Sequence, residues 1–208
     1  MPVLLITDIW GRSPETEKLE QKLRGVDYDV QQLDSYQGET RSFACEADAY
    51  AAFMADCGHE VYAALVEEAV REVSQQSATK LVLLGFSAGA SAAWRVAGSE
   101  SKHPIHHLAG FYPGQIRNSL ELSPSCPVTL VFPRVEEHFS VDAVIAELEK
   151  KPDVVCFKSA GEHGFMNPLS RNYLASEARK YRDILCEGEK LLDARGLRCA
   201  VAELVGEK

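Results

Sequence analysis

Residues 81–97 read LVLLGFSAGASAAWRVA, and this stretch decides the fold. Its first four residues are aliphatic and predict a strand that is buried on both faces. A G-x-S-x-G sequence at residues 85–89 follows directly, and the small residues after it predict a helix. A strand, a tight turn and a helix in this order would hold the hydroxyl of Ser87 at the carboxyl end of the strand, as a nucleophile.

The G-x-S-x-G sequence alone is of moderate specificity, because an ordinary glycine-rich turn between a strand and a helix would look the same. The chemistry nevertheless explains its spacing. Glycines beside a strained turn avoid collisions with neighbouring backbone. The helix that follows also directs its amide dipoles toward an oxyanion that forms on a substrate. Ser87 is therefore the candidate nucleophile.

Short runs rich in Val, Ile and Leu recur along the chain and alternate with longer amphipathic stretches. This alternation predicts an α/β fold with a doubly wound, mostly parallel sheet and helices on both sides. The predicted strands are residues 3–7, 28–33, 81–85, 107–111, 128–132 and 154–158. The predicted helices are residues 15–23, about 60–75, 89–97, 141–149 and 173–194. Residues 34–57 show little periodicity and are interpreted as a loop or a cap-like insertion over the carboxyl edge of the sheet.

The length and composition favour one domain spanning residues 1–208, with 46% hydrophobic and 25% charged residues. The formal charge of −9 disfavours nucleic-acid binding. No run of apolar residues is long enough for a membrane span, and residues 1–6 lead into the first strand without the basic segment of a secretory signal. We therefore expect a cytoplasmic protein with no membrane partner. No pattern in the sequence indicates an oligomeric state.

The six cysteines include no Cys-x-x-Cys pair, and no group of His, Asp and Glu has the spacing of a metal site. We therefore expect neither a metal nor a cofactor. Of the six histidines, His163 is the best candidate for a general base, because it lies between glycines in a loop after the last predicted strand.

The acid that would orient this histidine is expected on the loop after the strand at residues 128–132. That loop offers Glu136 and Glu137, and we choose Glu137 while leaving Glu136 open. Asp142 is a third candidate, but it is more typical of a residue in the first turn of the next helix.

Four segments together resemble the dienelactone hydrolase family, a small branch of the α/β hydrolases, over most of the chain. They are LITDIWG at residues 5–11, GFSAG at residues 85–89, EHF at residues 137–139 and GEHGF at residues 161–165. The resemblance implies a compact α/β-hydrolase fold with Ser87 as nucleophile, Glu137 as acid and His163 as base. It also implies an oxyanion hole formed by the backbone amides of Ile9 and Ala88.

The resemblance further implies hydrolysis of a small-molecule ester, lactone or thioester through an acyl-enzyme. Aromatic residues of the predicted edge loops are expected to line its pocket. They are Trp10, Tyr36, Tyr112, Phe139 and Phe165. An acidic residue, Asp8, falls where the family often has one near the nucleophile.

The sequence also departs from the best-known members of the family, which have Cys as nucleophile and Asp as acid. The arginines that bind the substrate carboxylate in those enzymes have no counterpart: Asn167 stands four residues after His163, and Gln37 follows DSY at residues 34–36. Dienelactone itself is therefore not the expected substrate. Two other functions stay open: a catalytically weak binding or regulatory protein that keeps the fold, and an acyltransferase with the same triad.

Overall fold

The computed structural model describes residues 1–76, 79–101 and 103–206. Six strands form one sheet in the order β2-β1-β3-β4-β5-β6, and each neighbouring pair is parallel. The strands are β1 (Pro2–Ile6), β2 (Asp29–Leu33), β3 (Leu81–Phe86), β4 (Ile105–Phe111), β5 (Val128–Phe132) and β6 (Val154–Lys158). The predicted parallel α/β fold is confirmed, and each of the six predicted strands is present with small shifts at its ends.

Helices cover both faces of this sheet. They are α1 (Pro14–Arg24), α2 (Glu46–Asp56), α3 (Gly58–Gln76), α4 (Ala88–Ala97), α5 (Val141–Leu148), α6 (Ala175–Leu185) and α7 (Ala194–Val205). Successive strand residues enter opposite cores: Leu83 packs in the cluster that contains residues of α3, α4 and α5, and Leu84 packs in the cluster that contains residues of α1, α6 and α7. Burial on both faces explains why β1 and β3 are apolar along their whole length.

Two predicted segments differ in the structure. The single helix predicted over residues 173–194 is wrong, since α6 ends at Leu185 and α7 begins at Ala194. Gly188 lies between them with a φ of +54°, a conformation that interrupts a helix, and the Asp193 side chain caps the start of α7. The segment interpreted as a loop or cap contains helix α2, which is anchored in the core by Ala49 and Phe53.

The strand order reverses direction between β1 and β3. From β1 the chain passes to β2 on one side, and then returns to form β3 on the other side. In an open parallel sheet such a reversal opens a crevice at the carboxyl ends of the two strands. Asp8 and Ile9 follow β1 there, and Ser87 follows β3.

None of the helices in the described part of the chain combines the length and the apolar character that a membrane-spanning segment needs.

His107 lies fully buried in β4, and neither of its ring nitrogens has a hydrogen-bond partner among the described residues. Burial lowers the pKa of His107 to about 4, with smaller contributions in the same direction from His106 and Arg198, whereas Asp193 acts in the opposite direction. Between pH 6.5 and 4 the unfolded chain therefore binds more protons than the folded chain. The contribution of His107 to the unfolding free energy should therefore decrease as the pH falls through this range.

We predict that His107→Leu removes this pH dependence. As the pH falls from 7 to 4.5, the unfolding free energy of the wild type should decrease by about 2–3 kcal/mol relative to that of the variant. Urea unfolding at several pH values measures this difference, and His106→Leu at the partly exposed neighbouring position is the control. Parallel pH profiles for the wild type and His107→Leu would contradict the prediction.

Candidate active site

Ser87 lies in the turn between β3 and α4 with φ of 49° and ψ of −113°, a strained conformation for a residue with a side chain. The surrounding hydrogen bonds hold it there. The Ser87 amide donates to the Phe111 carbonyl oxygen at 2.9 Å. The Ser91 hydroxyl donates to the Ser87 carbonyl oxygen at 3.1 Å and accepts from the Gln115 amide at 3.2 Å. The turn is therefore held in the conformation that exposes the hydroxyl.

The two glycines of the G-x-S-x-G sequence permit close packing. A Cβ atom at position 89 would lie 2.4 Å from the Thr7 carbonyl oxygen and 2.6 Å from that of Ile6. A Cβ atom at position 85 would lie 2.6 Å from the Ala90 Cα atom. Only glycine therefore lets α4 approach the end of β1 this closely.

His163 lies in the loop after β6 and reaches the turn from the other side of the crevice. Its Nε2 atom lies 2.8 Å from the Ser87 hydroxyl oxygen. The Asn172 side-chain amide donates to the His163 carbonyl oxygen at 3.1 Å, and the Tyr112 ring contacts the imidazole edge-on at 5.3 Å between centroids. The structure therefore brings together the serine and the histidine that the sequence had singled out.

Glu136, and not the preferred Glu137, is the carboxylate that contacts this histidine. The Glu136 Oε1 atom lies 2.7 Å from His163 Nδ1, and the Glu136 side chain is only 12% exposed. Glu137 is exposed to solvent at the rim of the cavity. Neighbouring side chains in this loop take opposite directions, and nothing in the local sequence distinguishes the two glutamates. Asp142 lies in the first turn of α5, as expected, and pairs with Lys158 at 2.8 Å.

The contact with Glu136 fixes the protonation pattern of the imidazole. An ionised carboxylate accepts hydrogen bonds only, so the Nδ1 atom of His163 carries the proton that faces Glu136. The Nε2 atom is then free to accept the proton of the Ser87 hydroxyl. The acid loop is also tied to the histidine loop, because the Arg134 amide donates to the Gly161 carbonyl oxygen at 2.8 Å and the Arg134 side chain pairs with Glu162.

Ile9 and Ala88 both line the cavity that contains Ser87. Ala88 is the first residue of α4, so its amide has no acceptor within its own helix. The Ile9 carbonyl oxygen accepts a hydrogen bond from the Tyr36 hydroxyl at 2.8 Å. The two residues named for an oxyanion hole therefore line the same cavity as the serine.

The cavity has a volume of about 1000 Å³, and its lining is more polar than the sequence suggested. The expected aromatic pocket is wrong, because none of the five aromatic residues lines the cavity. Trp10, Tyr36, Tyr112 and Phe165 are buried in the core, and Phe139 is partly buried beneath the Arg117 guanidinium. Tyr112 reaches the site only through its edge-on contact with the His163 imidazole.

Four segments form most of the walls of the cavity instead. Residues 44–47 and Tyr50, from the insertion and α2, form one side. Residues 135–138 and 169–172 border the acid and the histidine, while Gln115 and Arg117 come from a short 3-10 helix (Gly114–Asn118). Apart from Glu136 and Glu137, these residues gave no sequence signal, because their positions depend on tertiary packing.

Asp8 is a buried acid close to the site, only 6% exposed. The Asn167 side-chain amide donates to its Oδ2 atom at 2.7 Å, and the Trp10 amide donates to its Oδ1 atom at 3.0 Å. Burial raises the pKa of Asp8 to about 6, and this effect exceeds the lowering by the two hydrogen bonds. The charge of His163 also lowers the pKa, and that of Glu46 raises it.

Within the described residues, no three His, Cys, Asp or Glu side chains are grouped so that they could hold a metal ion. The residues that surround Ser87 are those of acid–base and nucleophilic chemistry.

The dienelactone hydrolase family model matches residues 1–185. The chain belongs to the dienelactone hydrolase family. Members of this family are hydrolases with an α/β fold that act on small molecules. A relative, the uncharacterized protein YczH of Bacillus subtilis (strain 168), is 28% identical over 172 residues, which are 81% of this chain and 82% of YczH.

Solved structures of low sequence identity share the fold. A dienelactone hydrolase-like promiscuous phosphotriesterase from metagenomic libraries has a TM-score of 0.68 and 14% identity, with 89% of this chain and 83% of that chain covered. Dienelactone hydrolase from Anabaena variabilis has a TM-score of 0.59 and 14% identity, with coverage of 90% and 84%. A Xanthomonas campestris protein of the α/β-hydrolase superfamily has a TM-score of 0.58 and 15% identity, with coverage of 99% and 98%.

We predict that Gly89→Ala is strongly destabilising, because its Cβ atom would collide with two backbone carbonyl oxygens that cannot move without displacing β1. The expected loss of unfolding free energy is about 1–3 kcal/mol or more. Gly25→Ala at the end of α1 is the matched control. It has an ordinary φ of −66° and nearest contacts of 3.3 Å, and its effect should stay below about 1 kcal/mol. Equal midpoints for both variants in urea unfolding would refute the predicted collision.

Proposed function

We propose that this protein is a serine hydrolase that cleaves small esters, lactones or thioesters through an acyl-enzyme on Ser87. The observation that carries the proposal is the continuous chain of contacts from Ser87 to His163 at 2.8 Å and from His163 to Glu136 at 2.7 Å. A serine hydroxyl is a weak nucleophile near neutral pH unless an adjacent base removes its proton, and this chain supplies the base and its orienting acid.

In the proposed first step, the Ser87 oxygen attacks the carbonyl carbon of the substrate while His163 Nε2 takes the hydroxyl proton. The carbonyl π bond breaks, and its electron pair moves to the oxygen. Glu136 stabilises the imidazolium that forms. When the tetrahedral intermediate collapses, His163 gives the proton to the leaving alcohol or thiol, and the acyl group stays on Ser87.

In the second step, a water molecule takes the place of the alcohol or thiol. His163 accepts a proton from the attacking water, and the bond between the acyl carbon and the Ser87 oxygen breaks. The proton returns to Ser87, and the acid is released.

The amides of Ile9 and Ala88 would stabilise the oxyanion in both steps. Their position beside Ser87 supports this role, as does the start of α4 at Ala88. Donors of this kind act in a site that they do not need to reorganise, and loss of one typically reduces turnover by about 10²–10³.

The walls of the cavity bear on the substrate. Charged and polar side chains such as Arg117, Gln115 and His138 lie beside exposed apolar ones such as Val135 and Leu169. This mixed lining favours a small ester with at least one polar substituent over a long unsubstituted acyl chain.

We predict that a fluorophosphonate probe labels the purified protein at Ser87 with one-to-one stoichiometry. Ser87→Ala should abolish the labelling, and His163→Ala should slow it by about 10²–10⁴, since the general base is then missing. Intact-mass measurement and peptide mapping give the stoichiometry and the site. Absence of labelling in the folded wild type by this probe and by a small acyl probe would contradict the proposal and favour a binding protein.

We also predict that Glu136→Gln lowers kcat for a simple aryl ester roughly 10³-fold or more, because the amide no longer holds the proton on Nδ1 of His163. Glu137→Gln is the matched control one residue away, and its kcat should stay within about threefold of the wild type because the side chain is exposed. Steady-state hydrolysis of the same ester by both variants tests this assignment. A larger loss in Glu137→Gln than in Glu136→Gln would assign the acid to Glu137.

A further inference from the structure

Two loops that supply the proposed chemistry meet at one buried hydrogen bond. The loop after β1 carries Ile9, and the loop after β6 carries His163. Asp8 of the first loop and Asn167 of the second are 6% and 7% exposed. The side-chain amide nitrogen of Asn167 lies 2.7 Å from the Asp8 Oδ2 atom. The two residues are 159 positions apart in the sequence, so this contact joins otherwise separate parts of the site.

On the side of β1, Asp8 fixes the backbone around Ile9. Its Oδ1 atom accepts a hydrogen bond from the Trp10 amide at 3.0 Å, and its backbone carbonyl oxygen accepts one from the Gly11 amide at 3.1 Å. These two bonds span the Ile9 peptide and close a tight turn. The direction of the Ile9 amide therefore depends on where the Asp8 side chain is held.

On the side of β6, Asn167 organises the loop that carries His163. The Asn167 backbone amide donates to the Gly164 carbonyl oxygen at 2.8 Å. The Asn167 backbone carbonyl oxygen accepts a hydrogen bond from the Ser170 amide at 2.9 Å. Its side-chain oxygen accepts the Leu169 amide at 2.9 Å. The side chain of Asn167 thus uses its oxygen within its own loop and its nitrogen to reach Asp8.

We propose that Asp8 and Asn167 are a pair of positioning residues. They fix the position of the Ile9 amide relative to the His163 imidazole, on the two sides of Ser87. This inference rests on the proposed function, because the pair acts only through Ile9 and His163, which have their roles in the proposed reaction. Loss of the hydrogen bond would let the two loops move relative to each other. A displacement of about 1 Å in such a site can lower the rate about 10²-fold.

The buried charge supports a functional role for the pair. Burial of the Asp8 carboxylate raises its pKa to about 6, so its ionisation at neutral pH opposes folding. Besides Asn167 and the Trp10 amide, the groups that act on this carboxylate are His163 and Glu46. Buried groups that reduce stability in this way are more common at functional sites than elsewhere.

The geometry allows a reciprocal exchange, in which Asp8→Asn and Asn167→Asp are combined in one double variant. The new amide side chain at position 8 can accept the Trp10 amide through its oxygen, while its nitrogen donates to the new carboxylate at position 167. The second oxygen of that carboxylate can still accept the Leu169 amide. All three side-chain hydrogen bonds of the pair are then formed again. Each single substitution breaks this pattern. In Asp8→Asn two side-chain amides face each other, and in Asn167→Asp two carboxylates face each other.

The test measures the labelling rate of Ser87 by the fluorophosphonate probe, kcat and KM for the aryl ester, and the melting temperature. Each single variant should lower kcat roughly 10²-fold, with a much smaller change in KM, because positioning acts on the reaction and not on binding. The kcat of the exchanged double variant should recover to within roughly fivefold of the wild-type value. In a double-mutant cycle this recovery is a strong coupling between positions 8 and 167. Asp142→Asn, at an exposed acid paired with Lys158, is the control and should leave kcat unchanged.

A pH profile gives a readout that a purely structural role would not move. In Asn167→Asp, two carboxyl groups face each other at hydrogen-bond distance, so one of them gains a proton more easily than an isolated carboxyl group. The protonated group can then donate to the other and replace the lost amide donor. The ratio of the kcat of this variant to that of the wild type should therefore rise as the pH falls from 8 to 6. The ratio for Asp8→Asn should rise less, because its only source is the protonation of wild-type Asp8, whose pKa is about 6.

The outcomes distinguish failure of the positioning role from failure of the proposed function. If the wild type is not labelled at Ser87, the proposed function fails. If the wild type is labelled and the folded single variants react at the wild-type rate, the positioning role is overturned while the proposed function stands. Lower melting temperatures without a change in kcat, or a double variant as slow as the single ones, would overturn it as well.

Discussion

The close approach of α4 to the end of β1 is the constraint on which the site depends. Because residue 89 has no side chain, the helix packs directly against the carbonyl oxygens of Ile6 and Thr7. This packing brings the turn at Ser87 next to the loop that leaves β1, at the two strands between which the sheet reverses its order. The distance between the Ser87 turn and the loop that carries Ile9 therefore depends on this one contact.

Much of the fold could be predicted from local sequence. Five of the six strands described are mainly apolar, and such runs are readable without knowledge of the neighbours. The edge strand β2 carries two glutamines and buries only Val30 fully. The error over residues 173–194 has a local cause, because Gly188 turns the chain inside a stretch that otherwise looks helical. Helix α2 escaped prediction for a different reason. Its small apolar residues, including Ala49, give a weak periodic signal, and its burial depends on a core formed by distant segments.

The candidate site was likewise predictable only in part from local sequence. Ser87 and His163 were predictable, because a strained turn and a glycine-flanked loop each leave a short signature in the sequence. The choice between Glu136 and Glu137 depends on the direction of one side chain in an irregular loop, which local sequence does not specify. The aromatic residues were misplaced because an apolar ring near an edge loop can face the core as readily as the crevice. The contact between Asp8 and Asn167 has no local signal at all.

One wall of the cavity comes from a segment other than those that carry the proposed proton transfer. Helix α2 is anchored by Ala49 and Phe53 on its inner side, while Tyr50 and residues 44–47 face the cavity. Ser87 and the Ile9 amide are held by strands and by the packing of α4. The wall contributed by residues 44–47 and Tyr50 can therefore change in size while the strands and α4 still hold Ser87 in place. The same scaffold can therefore acquire new selectivity through a short and replaceable part of the chain.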